Sequence, residues 1–366
     1  MEVLRMANAR AAAGDDVIHL EIGQPSTGAP AAVVAAAKRA LDAETLGYTE
    51  ALGLPALRRR LARFYGERYG VDVDPARVVV TTGSSGALLL AFLAAFDVGD
   101  RVAVAAPGYP AHRNILHALG LEPVAIPVDG GTRFQPTVEL LDRVTGRLDG
   151  LIVASPSNPA GSIVPPAELR RLADYCRDRA IRLVSDEVYH GIVYGEPPQT
   201  VAALSDQAVV VNSFSKYFSM TGWRLGWMVV PEDLLRPVEA LAQNLYVAPP
   251  SLPQHAALAV FDCVPELDEN VRRYRRNRDL LLAELPRIGL DRFAPPDGAF
   301  YLLADVGRLT NDSEDFCRRM LAEAGVAATP GTDFDSVNGR RFVRFSFAGA
   351  TEDMAEAMRR LAAWTR

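Results

Sequence analysis

The central part of the chain alternates short apolar runs with longer segments whose apolar residues recur at a helical period. Six runs have the length and composition of buried strands, at 77–83, 101–109, 151–159, 181–189, 208–214 and 224–230. Two of the helical segments between them lie at 84–96 and 165–179. Strands that alternate with helices form mostly parallel sheets covered on both faces. The pattern therefore predicts a three-layer αβα domain.

The pattern changes after about residue 262. A long arginine-rich helical segment is followed by shorter strand-like segments and a closing helix, as is typical of a smaller α+β domain. We expect an N-terminal segment at 1–30 that contributes to the small domain and the substrate site. The large domain should then span 31–262, and the small domain 263–366.

Composition narrows the function mainly by exclusion. The 366 residues carry a net charge of −6, which does not favour a nucleic-acid partner. The three cysteines are scattered and provide neither a disulfide framework nor metal-ligand spacing. We therefore expect no metal and a reducing, cytoplasmic location. No apolar run has the length that a membrane-spanning helix needs.

Lysine is rare in this chain. Lysine and arginine together number 39, yet only Lys38 and Lys216 are lysines. Lys216 directly follows Ser215, just after the apolar run 208–214, and Ser219 stands three residues later. An amine can lose its proton and attack a carbonyl carbon, whereas a guanidinium stays charged. Lys216 is either a surface lysine or a nucleophile, and its neighbours favour the second.

Polar residues at several strand ends point to an anion site at one edge of the sheet, where ligands of parallel sheets bind. Ser84 and Ser85 stand between a strand and a helix, where unpaired N–H groups attract anions. A simple helix cap is the alternative for these serines. Arg224, Ser213 and Ser215 could add donors for a phosphate. The glycine patterns of nucleotide-binding loops are absent.

A second group of strand-end residues suits a flat cationic ring. Asp186 could face a ring nitrogen, and such a pair at about 4 Å is worth about 4 kcal/mol. Tyr189 and Asn158 could donate to a phenolic oxygen, and Tyr109 could stack on the ring. For each of these residues taken alone, helix capping or side-chain packing is the alternative to binding a ring. His112 is either a polar residue at a helix start or a partner that tunes Asp186.

Together these residues resemble the pyridoxal-phosphate-dependent class I/II aminotransferases of fold type I. The resemblance runs from LEIGQP to VRFSFA, which is nearly the whole chain. The motifs SPSNPAG, SDEVYHGIVY and SFSKYFSMTGWRLGW occur in the expected order, and GYTEALGLPALRRRLARFY and PGTDF add weaker support. The resemblance implies a large αβα domain with a mostly parallel sheet and a smaller α+β domain. It also implies pyridoxal 5′-phosphate as cofactor and a homodimer with shared active sites.

The resemblance implies a role for each matching residue. Lys216 matches the lysine that forms a Schiff base with the cofactor, and Asp186 matches the partner of the pyridine nitrogen. Arg344 matches the arginine that binds the substrate carboxylate, and Gly23 allows a close approach of the backbone. Tyr189 and Asn158 match the residues that bond the ring hydroxyl, and Asn158 also lies in the substrate site. The remaining matches are Tyr109 for ring stacking, Ser84, Ser85, Ser213, Ser215 and Arg224 for the phosphate, and Tyr48 for the phosphate of the other subunit.

The resemblance also predicts the reaction. We expect an amino group to move between an L-amino acid and a 2-oxo acid by a ping-pong mechanism. A lyase, decarboxylase or cyclase that uses the same cofactor remains an alternative, because cofactor motifs do not separate these reactions. A nicotinamide dehydrogenase is less favoured, since the chain lacks GxGxxG. Burial and the cationic ring should lower the pKa of Lys216.

The substrate side chain is less well determined. Family members that act on dicarboxylic acids can use a second arginine ahead of a proline-rich turn. The corresponding segment, 241–254, has Gln243 at the best-matching position and no arginine. Together with Ile22, Tyr109 and Tyr246, this favours a neutral or aromatic side chain.

Overall fold

The computed structural model describes residues 2–365. The helices are α1 Glu2–Ala12, α2 Ala31–Ala43, α3 Pro55–Tyr69, α4 Gly83–Ala95, α5 Pro110–Ala118, α6 Val138–Leu141, α7 Pro166–Asp178, α8 Glu232–Tyr246, α9 Ser251–Ala257, α10 Val264–Glu284, α11 Ser313–Ala324 and α12 Thr351–Trp364. The strands are β1 Ile18–His19, β2 Val78–Thr81, β3 Arg101–Ala106, β4 Glu122–Pro127, β5 Gly150–Ala154, β6 Arg182–Asp186, β7 Val209–Ser213, β8 Gly226–Val229, β9 Tyr301–Asp305, β10 Val326–Ala327, β11 Thr329–Pro330 and β12 Phe342–Ser346.

A seven-stranded sheet forms the centre of the large domain, in the order β2-β8-β7-β6-β5-β3-β4. The pairs from β7 to β4 are all parallel, whereas β8 runs antiparallel to both β2 and β7. All six predicted strands are present. The seventh, β4, was not predicted. The mostly parallel sheet confirms the predicted fold class.

The central strands of the sheet are buried on both faces and are mainly apolar, whereas the edge strand β4 is partly exposed. Val78 and Val80 pack into one hydrophobic cluster, while Val79 packs into another on the opposite face. Helices α4 and α8 supply residues to the cluster around Val79. The other face is covered by residues of α3 and α7. The large domain therefore has three layers.

The small domain is built on an antiparallel sheet in the order β11-β12-β9. Strand β1 leaves the N-terminal segment and pairs in parallel with β10, which joins Ile18 to Val326 and His19 to Ala327. The residues after β1 are thereby held beside β11 and β12. The boundaries at residues 30 and 262 stay a prediction.

None of the described helices is long and apolar enough to cross a membrane. Within residues 2–365, no group of histidine, cysteine, aspartate and glutamate side chains could hold a metal ion. The three cysteine thiols, Cys176, Cys263 and Cys317, are free and buried.

Candidate active site

The carboxyl ends of neighbouring strands bring four predicted site residues to one edge of the sheet. Asp186 is the last residue of β6, and Lys216 lies in the loop after β7. Tyr109 follows β3, and Asn158 follows β5. Because β3, β5, β6 and β7 are adjacent and parallel, their ends meet at the same edge.

Lys216 extends toward the N-terminal segment. Its Nζ donates a hydrogen bond to the carbonyl oxygen of Gly23 at 2.7 Å. Burial lowers the pKa of Lys216 from 10.5 to about 8; Arg344 and Arg224 add to the lowering and Asp186 opposes it. A neutral amine, which nucleophilic attack and proton removal both need, is therefore accessible near neutral pH.

Asp186 is buried and held by a histidine. Its Oδ2 lies 2.9 Å from Nε2 of His112, and its Oδ1 accepts a hydrogen bond from the backbone N–H of Val188 at 3.3 Å. His112 is itself buried in α5. This contact supports a role for His112 as partner of Asp186 over that of a polar residue at a helix start. The ring of Tyr109, 37% exposed, stands edge-on to the His112 ring.

Tyr189 has a partner that the sequence did not single out. The hydroxyl groups of Tyr189 and Tyr301 lie 2.9 Å apart. The Tyr301 hydroxyl also lies 3.4 Å from the Gly23 carbonyl oxygen, which accepts the hydrogen bond of Lys216. A Cβ atom on Gly23 would stand 2.2 Å from the Tyr301 hydroxyl, so this approach requires glycine. Tyr301 therefore connects Tyr189 with the main chain that holds Lys216.

The start of α4 forms a close contact with Arg224. Gly83 opens the helix at φ +74°, a conformation that favours glycine. A Cβ atom there would lie 2.6 Å from Nη2 of Arg224. A Cβ atom on Gly226 would lie 2.8 Å from the backbone nitrogen of Ser84. Unpaired N–H groups at a helix start and an adjacent guanidinium make a suitable site for a phosphate.

The predicted serines differ in their placement. Ser84 is half-buried and Ser85 is exposed at the start of α4. The buried Ser213 hydroxyl accepts from the Ser215 N–H at 3.0 Å and donates to the Leu225 carbonyl oxygen at 3.4 Å. Ser213 therefore orders the loop that carries Ser215 and Lys216.

Arg344 lies on β12 and is buried. Its Nη1 donates to Oδ1 of Asn158 at 2.9 Å, and its Nη2 donates to the Glu21 carbonyl oxygen at 2.7 Å. Its guanidinium carbon lies 4.4 Å from the centre of the Tyr301 ring. Nε is buried and has no hydrogen-bond partner among the described residues. The guanidinium is thus fixed in orientation and keeps capacity for a carboxylate.

A cavity of about 600 Å³ adjoins Arg344, Asn158 and Tyr109. Its walls include apolar side chains from α1, α4, α5, the residue after α5 and the segment after β11. These are Val3, Leu4, Leu89, Ile115, Leu119 and Phe334. Arg344 is the only positively charged residue among the described residues that line this cavity.

Three residues singled out from the sequence lie away from this cluster. Tyr48 is 87% exposed in the segment between α2 and α3, and its predicted contact with another subunit stays a prediction. Gln243 is exposed and Tyr246 is half-buried at the end of α8. Neither lines the cavity beside Arg344. Tyr301, Glu21 and Thr329, which accepts a hydrogen bond from Nη2 of Arg344 at 3.1 Å, are site residues that the sequence did not single out.

Comparison with known proteins places these features in a family context. The family described as aminotransferase class I and II matches residues 15–361. The valine–pyruvate aminotransferase of Mycobacterium tuberculosis is 53% identical, with 100% of this chain and 95% of that protein covered. The aspartate aminotransferase of Sulfurisphaera tokodaii is 32% identical, with 95% of this chain and 90% of that protein covered. The crystal structure of an aminotransferase from Mycobacterium tuberculosis, 53% identical, matches with a TM-score of 0.98 over 100% of this chain and 95% of that one.

Proposed function

The chain belongs to the class I and II aminotransferases and is a pyridoxal-phosphate-dependent enzyme, and we propose that its amino donor has a neutral, apolar side chain. The reaction moves the amino group of that amino acid to a 2-oxo acid. The matches are to aminotransferases, so the nicotinamide dehydrogenase alternative is dropped.

One observation carries the choice of substrate: the cavity beside Arg344 has apolar walls and a single positive charge among its described lining residues. The α-carboxylate of an amino acid would form an ion pair with Arg344. An aliphatic side chain would then contact the apolar walls, which favour burial of such groups. The similarity to a valine–pyruvate aminotransferase supports the same substrate class.

The residues at the sheet edge fit pyridoxal phosphate in their chemistry. The buried carboxylate of Asp186 suits a ring nitrogen that carries a proton, and Tyr109 offers an aromatic face. The start of α4 and Arg224 suit the phosphate. When bound, the cofactor supplies an aldehyde that takes up the amino group and a ring that withdraws electrons from the substrate's α-carbon.

We assign substrate binding, proton transfer and the exclusion of water to residues of the chain. Arg344 binds and orients the substrate α-carboxylate, because its guanidinium is fixed by Asn158 and the Glu21 carbonyl. Lys216 accepts and returns the α-proton, since its lowered pKa leaves part of the amine neutral near pH 8. Tyr301 holds the Tyr189 hydroxyl. The small domain, which carries Arg344, restricts the access of water.

We also propose a homodimer in the cytoplasm. Large apolar side chains are exposed on α2, in the segment after it and around the end of α8, namely Leu41, Tyr48, Leu245 and Val247. A second copy could cover these side chains, and the family resemblance predicts that Tyr48 would then reach the cofactor phosphate of the other subunit. The three free thiols agree with a reducing compartment.

Initial rates with a panel of L-amino acids, and pyruvate as acceptor, test the proposed substrate class. We expect kcat/KM for L-valine or L-leucine to exceed that for L-aspartate and L-glutamate by about tenfold or more, or about 1.4 kcal/mol. The Lys216→Ala variant should be inactive. The Lys38→Ala variant, which alters the other, exposed lysine, should keep wild-type rates. A preference for L-aspartate or L-glutamate would overturn the proposal.

A further inference from the structure

Glu21 places a buried acid beside the substrate cavity. The residue is 6% exposed and is among those that line the cavity. Its Oε1 lies 2.7 Å from Nδ1 of His19. Its Oε2 is buried and has no hydrogen-bond partner among the described residues. A buried carboxylate oxygen without a hydrogen-bond partner costs folding free energy, so a functional reason for its presence is expected.

The backbone of Glu21 ties this acid to the carboxylate-binding residue. The Glu21 carbonyl oxygen accepts hydrogen bonds from Nη2 of Arg344 at 2.7 Å and from Oγ1 of Thr329 at 3.3 Å. No ion pair joins the Glu21 carboxylate to the Arg344 guanidinium, although both residues line the same cavity. Arg344 therefore keeps its charge for the substrate, and the residue whose backbone anchors it carries an acidic side chain.

The charges around the cavity are unequal once a substrate is bound. Arg344 is the only cation among the described lining residues, and Glu21 and Asp333 are the two acids. The α-carboxylate of the substrate neutralises Arg344. A second carboxylate on the substrate would then share a partly desolvated cavity with the acidic residue Glu21, and like charges repel strongly in such a site.

We infer that Glu21 is a specificity-determining residue that rejects amino acids and 2-oxo acids with an acidic side chain. This inference rests on the proposed function, because it assumes that Arg344 holds the α-carboxylate. Discrimination of this kind uses repulsion of the wrong substrate as well as attraction of the right one. Apolar walls alone would favour a neutral side chain, and Glu21 adds a penalty for a charged one.

A purely structural role for Glu21 makes a different prediction. If Glu21 only anchored the segment after β1 through His19, its replacement would change the reaction of neutral and acidic substrates by the same factor. If Glu21 repels acidic side chains, the ratio of the two kcat/KM values changes. The ratio therefore separates the two roles.

The test measures kcat/KM for L-valine and for L-aspartate in the cofactor-loaded enzyme and four variants. Glu21→Gln and Glu21→Ala remove the charge; the second also removes the buried oxygen that has no partner and should fold if the first does not. We expect the valine-to-aspartate ratio to fall by about tenfold or more in both variants. Glu21→Asp keeps the charge and should keep most of the discrimination. Glu232→Gln removes an acid from the exposed first turn of α8 and should leave the ratio unchanged.

Binding of unreactive ligands gives a second readout. Succinate should bind Glu21→Gln about tenfold more tightly than it binds the wild type, while 3-methylbutanoate should bind both equally. An unchanged kcat/KM ratio and unchanged succinate affinity in both charge-removing variants would overturn the role of Glu21. A wild-type enzyme that prefers L-aspartate would instead overturn the proposed function itself, so the two failures are distinguishable.

Discussion

The buried amine of Lys216 should destabilise the cofactor-free protein in a way that depends on pH. Its pKa is lowered from 10.5 to about 8, chiefly by burial. At about 1.4 kcal/mol per pKa unit this shift corresponds to about 3 kcal/mol. Lys216 keeps some solvent exposure, which makes this figure an upper bound. The Lys216→Met variant removes the ionisable group and replaces it with an apolar chain of similar length.

The direction in which stability changes with pH follows from the number of protons that the folded and unfolded states bind. Between pH 8 and 10.5 the unfolded chain keeps the Lys216 proton and the folded chain has lost it. The unfolded state then binds more protons, so stability rises with pH in this window. The wild type should therefore gain up to about 2 kcal/mol relative to Lys216→Met between about pH 7 and about pH 9.5. Below pH 8 the full penalty is present, and above 10.5 it is absent.

Urea denaturation of the cofactor-free proteins measures this difference. The free energies of unfolding of wild type and variant are compared at both pH values and at one protein concentration, with m-values checked for equality. A difference in packing between wild type and Lys216→Met does not depend on pH, so it cancels when the two pH values are compared. Lys38→Met, at an exposed position of α2, is the matched control and should follow the wild type at both pH values. Parallel stability curves for wild type and Lys216→Met would refute the lowered pKa.

Three further substitutions test the site. Arg344→Gln should lower kcat/KM by about 30-fold or more, because the α-carboxylate of the substrate loses its buried positive partner. The loss should appear largely in KM, and an unchanged KM would contradict the role of Arg344. Tyr301→Phe removes the hydroxyl partner of Tyr189 and should lower kcat by about fivefold to tenfold, with a shifted pH–rate profile; wild-type profiles would assign Tyr301 to packing alone. His112→Phe leaves the Asp186 carboxylate without its side-chain partner and should weaken cofactor binding by about tenfold in a spectral titration. Wild-type affinity would contradict the positioning role of His112.

Much of the sheet edge was predictable because the relevant signals are local. Each apolar run ends at a polar residue, and parallel topology places those ends together whatever the details of packing. Asp186 and Lys216 lie in the positions predicted on this ground. Strand β4 was missed, since prolines at 123 and 127 interrupt the apolar pattern of an edge strand that pairs only with β3.

Contacts between distant segments were not predictable from local patterns. Asn158 and Arg344 are 186 positions apart, and Tyr189 and Tyr301 are 112 positions apart. Their partnerships depend on how the small domain docks against the large one. Glu21 shows the same limit, because nothing in its neighbourhood along the chain reveals that one carboxylate oxygen would be buried without a partner. The pairing of β1 with β10 creates that position.

The most direct test of the whole account is the visible spectrum of the cofactor-loaded protein when single amino acids are added without a 2-oxo acid. The account predicts that L-valine or L-leucine discharges the yellow colour, that pyruvate restores it, and that L-aspartate at the same concentration has little effect. In the Lys216→Ala variant, amino acids should not discharge the colour and pyruvate should not restore it. Colour that L-aspartate discharges and that neutral amino acids leave unchanged would contradict the account.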